Sequence, residues 1–252
     1  MNYIVIRLVV FACTFGGALL GVFLRAVLPE RHLSADSKDT VRLGMGLVAT
    51  MVALVLGLLV ASAKNFYDAQ SNELTQMSAN VILLDRALAH YGPETKEARD
   101  LLRGAVVRTL DLIWHQDHQQ PSQMEPTAAG GEILYDKIQA LSPQNDAQRA
   151  LKSQASSMAI DLGKLRWLMF EQGSTSISIP LLVMLVFWLA IVFTSFGLFA
   201  PPNLTVIATL FLCALSVSGA IFLILEMYRP FQGGLMQLSS APLRNALAHL
   251  GQ

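Results

Sequence analysis

Few residues in this chain have the types and spacing to do chemistry. His115 and His118 stand three apart with Asp117 between them, and these are donor types a metal accepts. No third and fourth ligand follows at the spacing of a closed site, and Pro121 and Pro126 beside them favour a solvated loop. No G-x-S-x-G elbow, phosphate-binding loop, H-E-x-x-H pair or Gly-rich dinucleotide fingerprint occurs. Neither a catalytic residue, a metal centre nor a cofactor is expected, and an enzyme is the least favoured class. Cys13 and Cys213 lie inside apolar stretches and read as small packing residues. What remains is charge at the edges of apolar segments. Glu226 is followed by Arg229, and a carboxylate at such an edge can hold a cation, line a vestibule or pair with an arginine three residues on. Lys64 and Asp68 stand at i, i+4 with Asn65 beside them, which suits either an exposed helix-stabilising pair or a polar mouth. Lys64, Asn65, Asp68, Glu226 and Arg229 are therefore the candidate pore or vestibule residues.

The elements that must position them are apolar. Only 14% of the 252 residues are charged, against roughly 25% in an ordinary soluble domain. Residues 8–24, 43–63 and 172–225 contain no Asp, Glu, Lys, Arg or His at all. A helix crosses the hydrocarbon core with about 20 apolar residues. The first two stretches each fit one crossing, with Arg7 able to reach the head groups from the first. The third is too long for one and is split at Pro201-Pro202-Asn203, because consecutive prolines remove amide donors and turn the preceding residue away from helix. The expectation is an all-α membrane protein with four transmembrane helices. A net charge of zero argues against nucleic acid as a partner and leaves the lipid bilayer and inorganic ions.

Residues 64–171 are polar, with apolar residues at helical spacing. Met77, Val81, Leu84, Leu88 and Tyr91 step by four and three along one face. Nothing between residues 43 and 91 breaks a helix, so the second span is expected to continue as one rod until Gly92-Pro93 stops it. A second stripe runs from Ala98 to Ile113, a short helix from Glu132, and a third stripe from Ala147 to Met169. The expected organisation is spans one and two in residues 1–63, a soluble helical bundle in 64–171 inserted between spans two and three, a transmembrane hairpin in 172–226, and a tail in 227–252. In that tail Ser240 is placed to cap a short helix carrying Pro242 in its first turn.

Within lipid, helices associate through small residues that let backbones approach. Span two carries Ala49, Ala53, Gly57 and Ala61 at strict four-residue intervals, and span one carries Gly17 and Gly21, with Gly16 adjacent. Span four adds Ser216, Gly219 and Ala220. These faces are expected to meet another helix, of this chain or of a neighbour. Four helices enclose no pore, so conduction would need an oligomer axis. Basic residues near the span ends number more on the termini side (Arg7, Lys64, Lys164, Arg166, Arg229, Arg244) than on the other (Arg25, Arg31, Lys38, Arg42). That bias puts both termini and the bundle in the cytoplasm of a bacterial inner-membrane protein.

Three stretches carry a resemblance. Leu54-Val-Leu-Gly-Leu-Leu-Val-Ala-Ser-Ala-Lys-Asn-Phe-Tyr-Asp-Ala-Gln70 leads into Ala79-Asn-Val-Ile-Leu-Leu-Asp-Arg-Ala-Leu-Ala-His-Tyr-Gly-Pro93. Leu225-Glu-Met-Tyr-Arg-Pro-Phe-Gln-Gly-Gly234 is followed by Ser239-Ser-Ala-Pro-Leu-Arg244. The chain is similar over nearly its whole length to a bacterial membrane-protein family labelled bestrophin-like. That resemblance implies four spans per subunit, helical cytosolic segments and, as expectations, a pentameric, anion-selective channel. Residues 43–63 lack the closely spaced aromatic residues and the proline that bestrophins carry in their second span, and no ion-binding residue carries over. The leading expectation is a homo-oligomeric ion channel; the other is a membrane-anchored helical sensor or scaffold without transport.

Overall fold

The computed structural model describes residues 3–29, 35–114, 128–173, 178–231 and 234–251. Among them helix is the only regular secondary structure: α1 (Tyr3–Val27), α2 (Ala35–Tyr91), a 3-10 turn (Pro93–Thr95), α3 (Lys96–Trp114), α4 (Ala128–Gln139), α5 (Asp146–Gly173), α6 (Ile179–Phe199), α7 (Leu204–Met227) and α8 (Ala241–His249). Four of these helices, α1, α2, α6 and α7, are long and apolar enough to cross a membrane. The His115/His118 pair lies outside the described residues. Two compact units form, one from Met1–Phe66 with Ser176–Tyr228 and the other from Tyr67–Thr175 with Arg229–Gln252.

The first unit holds α1, the beginning of α2, α6 and α7. Helix α1 meets α6 at a reciprocal glycine contact. A methyl group on Gly21 would fall 2.0 Å from the Thr194 carbonyl oxygen, and one on Gly197 would fall 2.0 Å from that of Ala18. Gly17 is nearly as tight, 2.8 Å from the Ala190 oxygen. Only glycine lets two backbones come this close, and in lipid that approach supplies the packing energy that water would otherwise provide. Against α7, α1 instead uses rings: Phe211 packs edge-on to Phe11 at 5.4 Å and to Phe15 at 5.3 Å.

Hydroxyls inside these helices bond to their own backbone. Thr14, fully buried, donates to the Val10 carbonyl at 2.9 Å, and Thr194 donates to Ala190 at 2.7 Å. Polar groups at membrane depth are thereby satisfied within the segment. At the proline turn the Arg25 guanidinium donates to the Ala200 carbonyl at 2.5 Å, filling an acceptor that α6 leaves open at its end. At the other end of α1 the Arg7 guanidinium lies over the Phe222 ring, 5.2 Å from its centroid.

The second unit is built on the remainder of α2, which runs unbroken for 57 residues, about 85 Å at the standard rise. It begins earlier than the apolar stretch suggested, at Ala35. It stops at Tyr91, where Gly92 takes φ 145°, a conformation that side chains rarely adopt. The open carbonyls there are taken by Thr95, whose hydroxyl donates to Leu88 at 2.6 Å, and by the Gln148 amide, which donates to Tyr91 at 2.9 Å. Leu74, Val81, Leu84 and Leu88 of α2 enter one core with Leu102 and Val106 of α3, Ile138 of α4, Ala155 and Met169 of α5, and Leu243 and Ala246 of α8. Helix α5 starts with a reciprocal cap, Asn145 accepting the Gln148 amide at 2.8 Å and Gln148 accepting that of Gln144 at 2.7 Å.

The tail joins this second core. Ser240 makes no capping bond, because it sits in the helical region (φ −74°, ψ −5°) rather than the extended one that aims a side chain at the first amides. The Ser239 hydroxyl takes the Ala241 amide instead, at 3.2 Å. Helix α4 starts at Ala128, before the expected Glu132.

Replacing Gly21 or Gly197 by alanine should cost about 1–3 kcal/mol or more, as overpacking of a closed contact does. Gly16→Ala, at a position with open space, should be close to neutral. Thermal unfolding of the detergent-solubilised variants measures this, and equal melting temperatures would remove the glycine contact as a determinant.

Candidate functional site

The expected small-residue faces divide into two kinds. Gly17 and Gly21 lie against α6, as described. Among the described residues the ladder of α2 meets no other helix: Ala53, Gly57 and Ala61 are exposed, Ala49 is half-buried, and a methyl group on Gly57 would meet nothing within 4 Å. Gly44 and Gly46 are equally open, as is Gly219 of α7. Beside the ladder runs a stripe of leucines, with Leu54 at 74% and Leu58 at 66% exposure. Thr50 sits on the same outward surface and commits its hydroxyl hydrogen to the helix, with the Gly46 and Leu47 carbonyls at 3.0 and 2.7 Å. Only the opposite side of α2, with Val52, Leu59 and Ala63, is buried.

Near the end of this first unit a side-chain contact joins α2 to the residue after α7. Tyr228, immediately after α7, donates its hydroxyl to the Ser62 hydroxyl at 2.9 Å and stacks on Phe66 at 5.3 Å. Lys64 and Asn65, both exposed, stand between Ser62 and Phe66 on α2, and the half-buried Glu226 precedes Tyr228 by two residues. Those three candidates therefore share one level of the first unit. Asp68 and Arg229 belong to the second unit, Asp68 half-buried and Arg229 exposed. No cluster of metal-ligating side chains occurs among the described residues. Cys13 and Cys213 are both free and exposed.

Sequence reasoning did not single out Gly197, Tyr228 or the ion pair at the centre of the second unit. Asp85 of α2, with only 2% of its side chain exposed, accepts two hydrogen bonds from Arg99 of α3 at 2.7 and 2.9 Å. That hydrogen bonding raises the Arg99 pKa above its ordinary value, against the opposing effect of burial. The Gly251 amide adds a third donor to Asp85 at 3.3 Å, so one carboxylate holds α2, α3 and the end of the tail. The signal was available, since Asp85 interrupts the apolar run between Leu84 and Leu88. Tyr91, also buried, has no hydrogen-bond partner for its hydroxyl among the described residues. Burial, and then the nearby charge of Glu94, push its pKa up. Arg166 on α5 is shifted down, by burial first and by the proximity of Arg108 second.

The Bestrophin-like domain family matches residues 12–243 of this sequence. The chain belongs to the bestrophin-like family. Its fold is similar to that of a bacterial bestrophin homologue from Klebsiella pneumoniae, seen in crystal structures of two single-substitution variants. The first has 15% sequence identity and a TM-score of 0.66, with 95% of this chain and 99% of the other covered. The second has 14% identity and a TM-score of 0.58, with 94% and 98% covered. No curated protein matches by sequence. The family and the four apolar helices together make this a membrane protein of a channel-like family.

Two outcomes follow for this bestrophin-like chain. Arg99→Met strands the Asp85 carboxylate and should cost about 3–5 kcal/mol, whereas the Asp85→Asn, Arg99→Met double variant should recover most of the loss. Denaturant unfolding of the purified protein reads both. Because the Tyr91 pKa is raised on folding, its contribution is intact below about pH 10 and is lost as pH rises through the folded value. Tyr91→Phe should be at least as stable as the parent at neutral pH and should lose less stability between about pH 9 and pH 11. Parallel pH curves for the two proteins would contradict this.

Proposed function

We propose that this chain is one subunit of a homo-oligomeric ion channel of the bacterial inner membrane, with its pore on the oligomer axis and the outward face of α2 at the subunit contacts and the lumen. The observation that carries the reading is the contrast between two sets of small residues. Gly17, Gly21 and Gly197 are covered within the chain, while Ala53, Gly57 and Ala61 are not. A four-residue ladder of small side chains favours close helix approach, and one chain with four spans encloses no lumen. The exposed surface of α2 is broad, with a small-residue stripe and a leucine stripe side by side, and a helix in a ring needs a neighbour and a lumen-facing side.

On this reading Lys64, Asn65 and Glu226 stand at the mouth where the spans end, and Asp68 and Arg229, in the second unit, are vestibule candidates. The second unit is the water-exposed bundle strung between spans two and three, on the cytoplasmic side with both termini. Anions are the transported class that the family resemblance implies. No covalent chemistry is part of this function, and the side chains act by position and charge alone.

Electron cryo-microscopy in nanodiscs should give a symmetric ring with an axial opening, and proteoliposomes should pass chloride, with sodium and potassium run in parallel. Gly57→Phe should weaken subunit association roughly five- to 150-fold in dissociation constant, about 1–3 kcal/mol, and flux should fall with it. A monomer with a closed helical interior, or liposomes that pass neither class of ion, would replace the channel by a sensor or scaffold.

A further inference from the structure

Exposed apolar surface on the second unit includes both flanks of the α6–α7 hairpin. Before it, on α5, Trp167 is 55% and Leu168 48% exposed, shortly before that helix ends at Gly173. After it, Leu235 is 77% exposed, eight residues beyond the end of α7 at Met227. Both flanks are tied to membrane-crossing helices by short lengths of chain. A helical rise of about 1.5 Å and an extended reach of about 3.5 Å per residue keep each within roughly 30 Å of a span end.

We infer that Trp167, Leu168 and Leu235 lie in the head-group layer of the bilayer. The chemistry of these residues suits that layer. An indole has an apolar body and one N–H donor, and tryptophan concentrates at membrane–water boundaries for that reason. Lys164 precedes Trp167 by three residues, and its exposed ammonium pairs with Asp161 at 3.5 Å. The acidic neighbours Asp161 and Glu171 leave little net charge at this place. The attraction is therefore mainly interfacial burial of apolar surface and does not depend on a strongly anionic membrane. This inference goes beyond the channel reading and does not rest on it, since a non-conducting membrane protein of the same fold would make the same contact.

Tryptophan fluorescence tests it on the native side chain. The difference in emission between the Trp188→Phe protein and the Trp167→Phe, Trp188→Phe protein isolates Trp167, and it leaves Trp114 in place, whose indole donates to the Leu238 carbonyl at 2.9 Å. In nanodiscs of phosphatidylcholine and phosphatidylglycerol in equal parts, lipid spin-labelled at the head group should quench that signal about twofold or more. Lipid brominated deep in the acyl chain should quench it less, and aqueous iodide, which reaches both faces of a nanodisc, should quench it weakly. Leu235→Trp in the Trp167→Phe, Trp188→Phe background should follow the same pattern. Quenching by iodide without the head-group label, at either position, puts that side chain in water and overturns the proposal. Quenching by neither puts it under protein, such as a second copy of the chain, and overturns it equally.

Discussion

A bilayer offers no hydrophobic force to bring helices together and no water to satisfy a stray backbone group. Everything in the first unit answers to that constraint. Its helices make their own backbone bonds, Thr14 and Thr194 return their hydroxyls to carbonyls one turn back, and Arg25 fills the acceptor left at the end of α6. With these polar demands met, surface fit remains to hold the helices along their length. Gly21 and Gly197 provide it by letting α1 and α6 touch backbone to backbone. The same helix α1 presents aromatic rings to α7, so its two sides associate by different means: close approach on one, interlocking rings on the other.

Helix α2 obeys two regimes in turn. Residues 43–63 are apolar all round, and the later part keeps apolar residues on one face only, from Leu74 to Leu88, where the core of the second unit lies. No proline or helix-ending glycine separates the two, so the backbone continues while the side-chain pattern changes. The second unit then adds devices common in soluble domains. It has reciprocal capping at the start of α5, a lysine whose ammonium donates to the Gln139 and Leu141 carbonyls at 2.6 and 2.8 Å, and a buried carboxylate shared between α2, α3 and the tail. A buried ion pair is weak evidence for net stability, because desolvation offsets much of its attraction. Its stronger consequence is register: Asp85 accepts from Arg99 and from Gly251 only if both elements arrive in one arrangement.

How much of this was legible beforehand depends on the range over which each residue acts. The four apolar helices, the stop at Gly92-Pro93 and the heptad-like stripe into the core were all readable, because composition and period are local properties. The Gly17/Gly21 pair was visible, but Gly197, its counterpart on α6, was not, since a lone glycine in an apolar run acquires meaning only from the helix opposite. Ser240 was misread because a capping residue is defined by its backbone conformation, and the neighbouring Ser239 took the amide. The candidate charges were legible as a set at the span ends. Their separation was not: Lys64, Asn65 and Glu226 sit at one level of the first unit, while Asp68 and Arg229 fall in the second. The order of charges along the chain does not say where one packed unit ends and the next begins.

Covered and uncovered glycines together give the argument its direction. A glycine in a helix interior costs roughly 0.5–1 kcal/mol relative to alanine. At Gly17, Gly21 and Gly197 that cost is repaid within the chain by backbone contact. Gly44, Gly46 and Gly57 of α2 make no such contact here, although all three lie on the outward or half-open surface of one helix. Lipid alone gives no return for them, since a leucine at the same place would face hydrocarbon equally well without weakening the helix. A surface that carries Gly46 and Gly57 with the exposed Ala53 and Ala61 beside a leucine stripe is therefore better matched to another helix than to acyl chains.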